Sequence, residues 1–204
     1  MLLLVADRII EAEPELSEAD RNLGDGDHGI GMQRGMNAAK EALAETAEDS
    51  TVGELFTVMG KAMMSSMGGA SGVIFGSLFR GGGKALKGYI GGFDARALSM
   101  VLSAAVEVIR DRGGAKAGDK TMLDALIPAS LKASELMEVP LEEALKQVAE
   151  AAEAGKEASK DMIATMGRAK TLGERSLGHP DAGACSVAII LQTMADFTAE
   201  QSAS

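Results

Sequence analysis

Aromatic residues and cysteine are scarce in this 204-residue sequence, and each shortage excludes a class of protein. The chain has no Trp, one Tyr and five Phe, and 30 acidic against 20 basic residues give it a net charge of −10. Nucleic-acid binding needs a basic surface and aromatic groups for stacking, so we exclude it. The single cysteine, Cys185, can form neither an internal disulfide nor a cysteine metal cage, and so gives no sign of an oxidising compartment.

Long apolar runs are also missing. No uninterrupted stretch approaches the roughly 18–20 apolar residues of a membrane span. The apolar opening at residues 1–5 has no basic residue ahead of it, which a signal peptide would have, and it reaches Asp7 and Arg8 almost at once. We therefore expect a helix there, no membrane contact, and a cytoplasmic protein.

Helix-forming residues dominate what is present, and their apolar spacing of three and four predicts an all-α chain. Thr51 and Glu54 have the spacing of a capping box, and Asp94 is the expected N-cap of a later helix. No linker rich in Pro or Ser divides the chain, so we expect a single domain over residues 1–204. The start and stop signals predict about eight helices, near residues 2–13, 29–46, 51–67, 71–88, 94–111, 119–137, 140–166 and 181–199.

Glycine is unusually frequent for a helical chain. The 25 glycines are about 12% of the residues, against a usual share of about 7%, and many are clustered. For scattered glycines such as Gly53 and Gly60 we expect close helix packing. Clustered glycines weaken helices, and they are tolerated where backbone N–H groups approach a ligand such as phosphate.

The most informative cluster is the acidic loop at residues 20–29. Its glycines match the dinucleotide fingerprint G-x-G-x-x-G, but no strand precedes them, and two carboxylates inside the loop would repel a pyrophosphate. Asp25 and Asp27, joined by Asp20, are instead the oxygen ligands that Mg²⁺ prefers when it completes its shell with substrate phosphates. A solvated acidic turn is the alternative.

Two other segments are less informative. The small residues 65–72 lead into an apolar helix, and they suit either an anion site at a helix N-terminus or a tight helix crossing. Asp119 is interpreted as a helix cap in the absence of other signals. The chain has neither a Walker A sequence nor protein-kinase signatures, so any nucleotide site must use another design.

Taken together, these segments resemble the ADP-binding L subunits of dihydroxyacetone kinases. The matching stretches occur in the family's order and spacing across nearly the whole chain: residues 24–29 (GDGDHG), 68–72 (GGASG), 118–122 (GDKTM) and 172–179 (LGERSLGH). The resemblance implies a single-domain antiparallel barrel of eight helices with the nucleotide at one end.

The resemblance also implies the site residues. Two Mg²⁺ ions would be held by Asp20, Asp25 and Asp27, and no residue would act as a catalytic nucleophile. Met122 would be an apolar wall for the adenine. The nucleotide, ADP or ATP, would be surrounded by His28, Gly29, Ile30, Gly31, Ala70, Ser71, Gly113, Met122, Arg168, Asp181, Ala182 and Gly183.

The activity that the resemblance implies is that of a phosphotransferase. The chain would carry Mg-ADP as a bound coenzyme, receive a phosphoryl group from the phosphohistidine-carrying M subunit of a phosphotransferase system, and pass it to dihydroxyacetone on a separate K subunit. The alternatives are the L subunit of an ATP-dependent kinase for dihydroxyacetone or a related small ketose, and an ADP-loaded module that binds a transcription regulator. The oligomeric state, a homodimer included, stays open.

Overall fold

The computed structural model describes residues 1–202, and all regular secondary structure in that range is helical, which confirms the all-α prediction. Two 3₁₀ segments, Ser159–Asp161 and Arg168–Ser176, lie between the last two α-helices. Within residues 1–202 the α-helices are α1 (Leu2–Glu11), α2 (Glu13–Arg21), α3 (His28–Ala44), α4 (Val52–Ser66), α5 (Gly69–Ala85), α6 (Ala95–Gly113), α7 (Leu123–Glu135), α8 (Leu141–Ala158) and α9 (Ala182–Ser202).

Three features of the fold differ from the sequence prediction by more than three residues. Helix α2 was not predicted, because it is short and strongly polar and its buried residues are only Leu16, Ser17 and Ala19. The helix predicted over residues 140–166 ends at Ala158, where a 3₁₀ turn follows.

The helix predicted from residue 119 begins at Leu123 instead. Residues 118–122 form a turn in which the Asp119 carboxylate accepts a hydrogen bond from the Lys116 backbone N–H at 2.8 Å, so Asp119 does not cap α7. The carboxylate of Asp124 accepts from the N–H groups of Gly118 and Thr121, at 2.6 and 2.8 Å, and holds this turn against the first turn of α7.

The other two predicted caps are confirmed. Thr51 and Glu54 form a complete capping box at the start of α4, with each side chain bonded to the other residue's backbone N–H. The Asp94 carboxylate accepts a 2.8 Å hydrogen bond from the Ala97 N–H and caps α6. Side-chain caps of this kind satisfy N–H groups that have no partner within the helix.

The helices pack in a closed order. Each of α3 to α9 packs against its neighbour in the chain, α9 packs against α1, and α1 and α2 both pack against α3. One hydrophobic cluster includes buried side chains from all nine of these helices. Helix α9 has a mean hydropathy of 1.3 and is the one described helix long and apolar enough to cross a membrane, but 56% of the window that passes this test is buried inside the fold.

A close helix contact joins α4 to α5 through facing glycines. A Cβ atom on Gly60 would lie 2.5 Å from the Gly76 carbonyl oxygen, and one on Gly83 would lie 2.5 Å from the Gly53 carbonyl oxygen. The two backbones therefore touch directly at both places. This confirms the packing interpretation of Gly53 and Gly60.

Candidate nucleotide-binding site

Five helix ends surround a cavity of about 600 Å³. The end of α2 and the starts of α3, α5, α7 and α9 contribute, together with the residues that open the second 3₁₀ segment. All but two of the predicted site residues line it: Asp20, Asp25, Asp27, His28, Ile30, Gly31, Ala70, Ser71, Met122, Arg168, Asp181, Ala182 and Gly183.

The three predicted metal ligands lie together at one side of this cavity. Asp20 is in the last turn of α2 and is partly buried, and Asp25 and Asp27 are exposed in the loop before α3. One carboxylate oxygen from each lies within 4.8 Å of the others. Three carboxylates this close repel one another, and oxygen donors at this spacing suit a divalent cation such as Mg²⁺.

Hydrogen bonds fix the loop that carries the aspartates. The Asp20 carboxylate accepts from the His28 N–H at 3.2 Å, and the Asp20 carbonyl oxygen accepts from the Gly24 N–H at 2.5 Å. The guanidinium of Arg168, the first residue of the second 3₁₀ segment, forms an ion pair with the Asp25 carboxylate. Arg168 is the one cationic side chain that forms a salt bridge with the cluster among the described residues.

His28, the first residue of α3, is buried and ties that helix to α9. Its Nε2 is 2.8 Å from the Ser186 hydroxyl, and its ring centroid lies 5.6 Å from that of Phe75. Burial lowers the pKa of His28, against an opposing effect of the Asp20 charge. The imidazole is therefore neutral at physiological pH, which suits a contact residue rather than a source of positive charge.

The first turn of α5 forms another part of the cavity lining. Gly68 precedes it with a left-handed backbone (φ 72°), and Gly69, Ala70 and Ser71 open the helix. The N–H groups of a helix's first turn have no partner within the helix, and they favour anions. Further along the 65–72 run, a Cβ on Gly72 would lie 2.9 Å from the Met67 Cβ. This run therefore combines close packing at Gly72 with an open helix N-terminus at the cavity.

Asp181 lies at the start of α9. Its carboxylate accepts a 2.8 Å hydrogen bond from the Ala184 N–H, and its own N–H donates to the Ser159 hydroxyl at 3.0 Å. Burial raises the pKa of Asp181 to about 7; the Asp124 charge acts in the same direction, and hydrogen bonding and Lys120 oppose it. A substantial fraction of this carboxyl is consequently protonated at neutral pH.

Comparison with known proteins identifies the family. The family model described as the DAK2 domain matches residues 22–196. The chain belongs to the DAK2 domain family. This confirms the resemblance drawn from the aspartate and glycine motifs.

Several relatives of this DAK2 chain match over most of its length. It is 38% identical to the "PEP-dependent dihydroxyacetone kinase 1, ADP-binding subunit DhaL" of Listeria innocua, over 92% of this chain and 89% of that protein. The corresponding DhaL subunit of Escherichia coli is 37% identical, over 92% of this chain and 90% of that protein. The "D-erythrulose kinase" of Mycolicibacterium smegmatis is 38% identical over 94% of this chain, which spans only 33% of that protein.

A solved structure agrees with these matches. The dihydroxyacetone kinase of C. freundii, in complex with AMP-PNP and Mg²⁺, superposes with a TM-score of 0.74 at 26% identity. The match covers 96% of this chain and 33% of the larger kinase. The DAK2 chain thus corresponds to one part of a longer enzyme in both the D-erythrulose kinase and the C. freundii kinase.

Two predicted nucleotide contacts of the DAK2 chain do not line the cavity. Gly29 faces α2: a Cβ there would overlap the Glu13 carbonyl oxygen and the Ser17 hydroxyl and lie 2.7 Å from the Ser17 backbone nitrogen. Gly113 is the exposed last residue of α6, and its nearest neighbour within reach of a Cβ is Ile74, at 4.0 Å. Gly29 therefore has a packing role. Gly113 lies next to Ile74, which lines the cavity, but does not line it itself.

Other cavity residues were not predicted as site residues. Arg34 lies one helical turn after Ile30 on α3, and its guanidinium donates to the Met67 carbonyl oxygen. The spacing of four residues could have identified it. The remaining unpredicted lining residues are Leu23, Met67, Gly68, Gly69, Ile74, Phe75, Thr121, Gly167 and Ala169.

Proposed function

We propose that this chain is the ADP-binding subunit of a PEP-dependent dihydroxyacetone kinase and acts in the cytoplasm. The observation that carries the proposal is the meeting, in one cavity, of three clustered carboxylates and the open first turn of α5. Carboxylates alone would repel a nucleotide, whereas carboxylates that hold a cation in the same cavity as a helix N-terminus suit its phosphates. Relatives named DhaL match this chain over about nine-tenths of both lengths, which supports the same function.

Each side of the cavity has a task in this proposal. Asp20, Asp25 and Asp27 hold two Mg²⁺ ions, which when bound screen the phosphate charge. The first-turn N–H groups of Ala70 and Ser71 orient the phosphates. Buried Met122 forms an apolar wall for the adenine. Phosphoryl transfer depends mainly on positioning and electrostatics, so no side chain is required as a nucleophile.

The partners follow from the same proposal. A K subunit holds dihydroxyacetone, and an M subunit with a phosphohistidine restores the phosphoryl group on the bound nucleotide. Exposed residues such as Asp25 and Asp27 line the cavity, so we expect a partner to approach the phosphates from this surface. Binding of a transcription regulator and formation of a homodimer stay predictions.

A specific observation favours a second candidate. The relatives named D-erythrulose kinase and L-erythrulose kinase are each 38% identical to this chain over more than nine-tenths of its length. The same site could therefore serve an ATP-dependent kinase of a four-carbon ketose, with ATP as an exchanging substrate.

Identification of the bound nucleotide separates these candidates. The chain is purified in Mg²⁺ without added nucleotide and then denatured, and the released compounds are identified by chromatography. Stoichiometric ADP that survives dialysis supports the bound-coenzyme function. An empty protein that binds Mg-ATP reversibly supports the ATP-dependent kinase, and a protein that binds neither nucleotide contradicts both.

Matched variants test the metal ligands. Asp25→Asn and Asp27→Asn should abolish Mg²⁺-dependent retention of nucleotide and leave the helical circular dichroism unchanged, and Asp20→Ala should do likewise, more weakly if it serves one ion. Asp49→Asn is the control, because Asp49 is exposed in the loop that follows the far end of α3. Normal retention by the Asp25 and Asp27 variants would contradict the metal assignment.

A further inference from the structure

Residues 159–181 leave the helical frame after α8 and return to it at α9; we call them the 159–181 loop. Three hydrogen bonds join its two ends. The Asp181 N–H donates to the Ser159 hydroxyl at 3.0 Å, the Gly178 N–H to the Lys160 carbonyl oxygen at 2.8 Å, and the Ala164 N–H to the Ser176 hydroxyl at 3.0 Å. The middle of the loop brings Gly167, Arg168 and Ala169 to the nucleotide cavity.

Lys120 lies between the two ends of this loop. Its side chain is buried, and its ammonium donates to the carbonyl oxygens of Ser159, Met162 and His179, at 2.6, 3.2 and 2.6 Å. The first two carbonyls belong to the end of the loop that follows α8, and the third belongs to the end that precedes α9. An ammonium has three donors, and all three are used, which makes its burial tolerable.

The backbone of Lys120 is also constrained. Among residues 1–202 it is the one residue other than glycine with a positive φ, at 59°. Such strain persists only where the surroundings hold it, and it is often found at functional sites. The next two residues, Thr121 and Met122, line the cavity, so the turn that positions Lys120 also forms part of the nucleotide site.

A second tie runs from the neighbouring residue to the middle of the loop. The Thr165 hydroxyl donates to the Asp119 carboxylate at 2.7 Å, and the Thr165 N–H donates to the Asp119 carbonyl oxygen at 3.2 Å. Thr165 lies three residues before Arg168. Residues 119 and 120 together thus hold the loop both at its ends and near its middle.

We propose that Lys120 is a positioning residue: its ammonium fastens the two ends of the 159–181 loop and thereby holds Arg168 at the nucleotide cavity. This inference rests on the proposed function, because the benefit of holding Arg168 is Mg-nucleotide binding. Lys120 itself does not line the cavity, so its effect on binding must pass through the loop. If Lys120 merely stabilised the fold, its effect on nucleotide binding would not depend on the presence of Arg168.

The test compares Lys120→Met, which replaces the Lys side chain as far as Cε but has no ammonium donor, with Lys160→Met. Lys160 is in the same loop, and its ammonium pairs with Glu157 on the surface rather than with the backbone of the loop. Hydrogen exchange of residues 163–177 is measured without nucleotide, and the Kd for Mg-ADP is measured by calorimetry. Lys120→Met should accelerate exchange in this segment selectively and raise the Kd about tenfold, whereas Lys160→Met should behave like the wild type.

A double-mutant cycle distinguishes positioning from a general loss of stability. If Lys120 acts through Arg168, the double variant Lys120→Met, Arg168→Ala should bind Mg-ADP no more weakly than Arg168→Ala alone. Additive losses, or unchanged exchange in residues 163–177, would overturn the proposal. If Lys120→Met does not fold, Lys120→Gly, which suits the left-handed backbone, takes its place with the same criteria. A wild-type chain that binds no Mg-ADP contradicts the proposed function instead, and the exchange result then decides whether Lys120 fastens the loop.

Discussion

Individual residues set the charge of the cavity wall. The aspartate cluster is anionic, and Arg168 neutralises part of it through Asp25. On the side formed by α9, burial acts on two titratable groups in ways that remove charge: it lowers the pKa of His28 and raises that of Asp181. At neutral pH, partial protonation of Asp181 removes negative charge from this wall and so reduces repulsion of a polyanionic ligand, whereas the neutral His28 adds no attraction.

Asp181 gives the fold a pH dependence of definite sign. Its pKa is about 7 in the folded chain, above the ordinary value of a carboxyl, so the folded state binds the proton more tightly than the unfolded state. The stability that this proton binding contributes is complete below the unfolded pKa of about 4 and is lost as the pH rises through about 7. Asp181→Asn keeps an oxygen for the Ala184 N–H and should remove this dependence.

The measurement is urea unfolding of the wild type and Asp181→Asn between pH 5.5 and 8. This range covers about the upper half of the pH interval over which the Asp181 contribution to stability is lost. The stability of the wild type relative to the variant should fall across this range, by at most about 1.4 kcal/mol per pH unit. Parallel pH profiles of the two proteins would mean that the pKa of Asp181 is not raised.

At the scale of elements, helix contacts position the aspartate loop. Gly29 packs against the backbone of α2 at Ser17, whereas a Cβ on Gly31, two residues later on the same helix, would meet nothing within 4 Å. Gly29→Ala should therefore force α2 and α3 apart and cost about 1–3 kcal/mol. Gly31→Ala is the matched control, and it should be neutral or should stabilise α3 by up to about 1 kcal/mol. Chemical denaturation of the two variants checks this, and equal stabilities would contradict the packing role of Gly29.

The capping box of α4 allows a second test at this scale. The Thr51 hydroxyl accepts from the Glu54 N–H at 3.3 Å, and hydrogen bonds from Thr51 lower the pKa of Glu54. Thr51→Ala should cost about 1 kcal/mol, and thermal unfolding should show a loss of about 2–4 °C in Tm. Ser50→Ala, one residue outside the box, should leave Tm unchanged; a similar loss there would show that the effect does not come from the cap.

Sequence patterns predicted some of these elements well and others poorly, for physical reasons. Caps and the aspartate loop depend on residues within a few positions of each other, so Thr51, Asp94 and Asp25 could be interpreted locally. Helix α2 was not predicted because it packs against α3 through few apolar residues and has no long apolar stripe of its own. The turn at Lys120 was not predicted because the Lys120 ammonium binds carbonyl groups about 40 and 60 residues away in the sequence, those of Ser159 and His179.

The candidate site shows the same division. Residues next to one another in the motifs, such as Asp25 and Asp27, are brought together by the chain itself. That Arg168 reaches Asp25 could not be derived from spacing, because the contact joins the 159–181 loop to the loop before α3. The packing role of Gly29 likewise depends on a helix, α2, that the pattern did not predict.

At the scale of the whole molecule, the cavity is built from five helix ends, so a ligand there connects elements that are distant in sequence. Mg-ADP that binds only the folded chain should raise the stability of the whole fold, by about 2.7 kcal/mol at a free concentration of 100 times Kd. Differential scanning calorimetry should show a single transition that moves to higher temperature. ADP with EDTA should give no such shift, and equal shifts with and without Mg²⁺ would contradict the role of the aspartates.

The facing glycines of α4 and α5 have a consequence for the thermodynamics of association. Backbones that touch at Gly60 and Gly76 and at Gly53 and Gly83 leave α5 little freedom to shift along or away from α4. The N–H groups at the start of α5 are thus ordered before any phosphate arrives, and their conformational entropy has already been lost during folding. Preorganisation of this kind increases affinity without adding a contact.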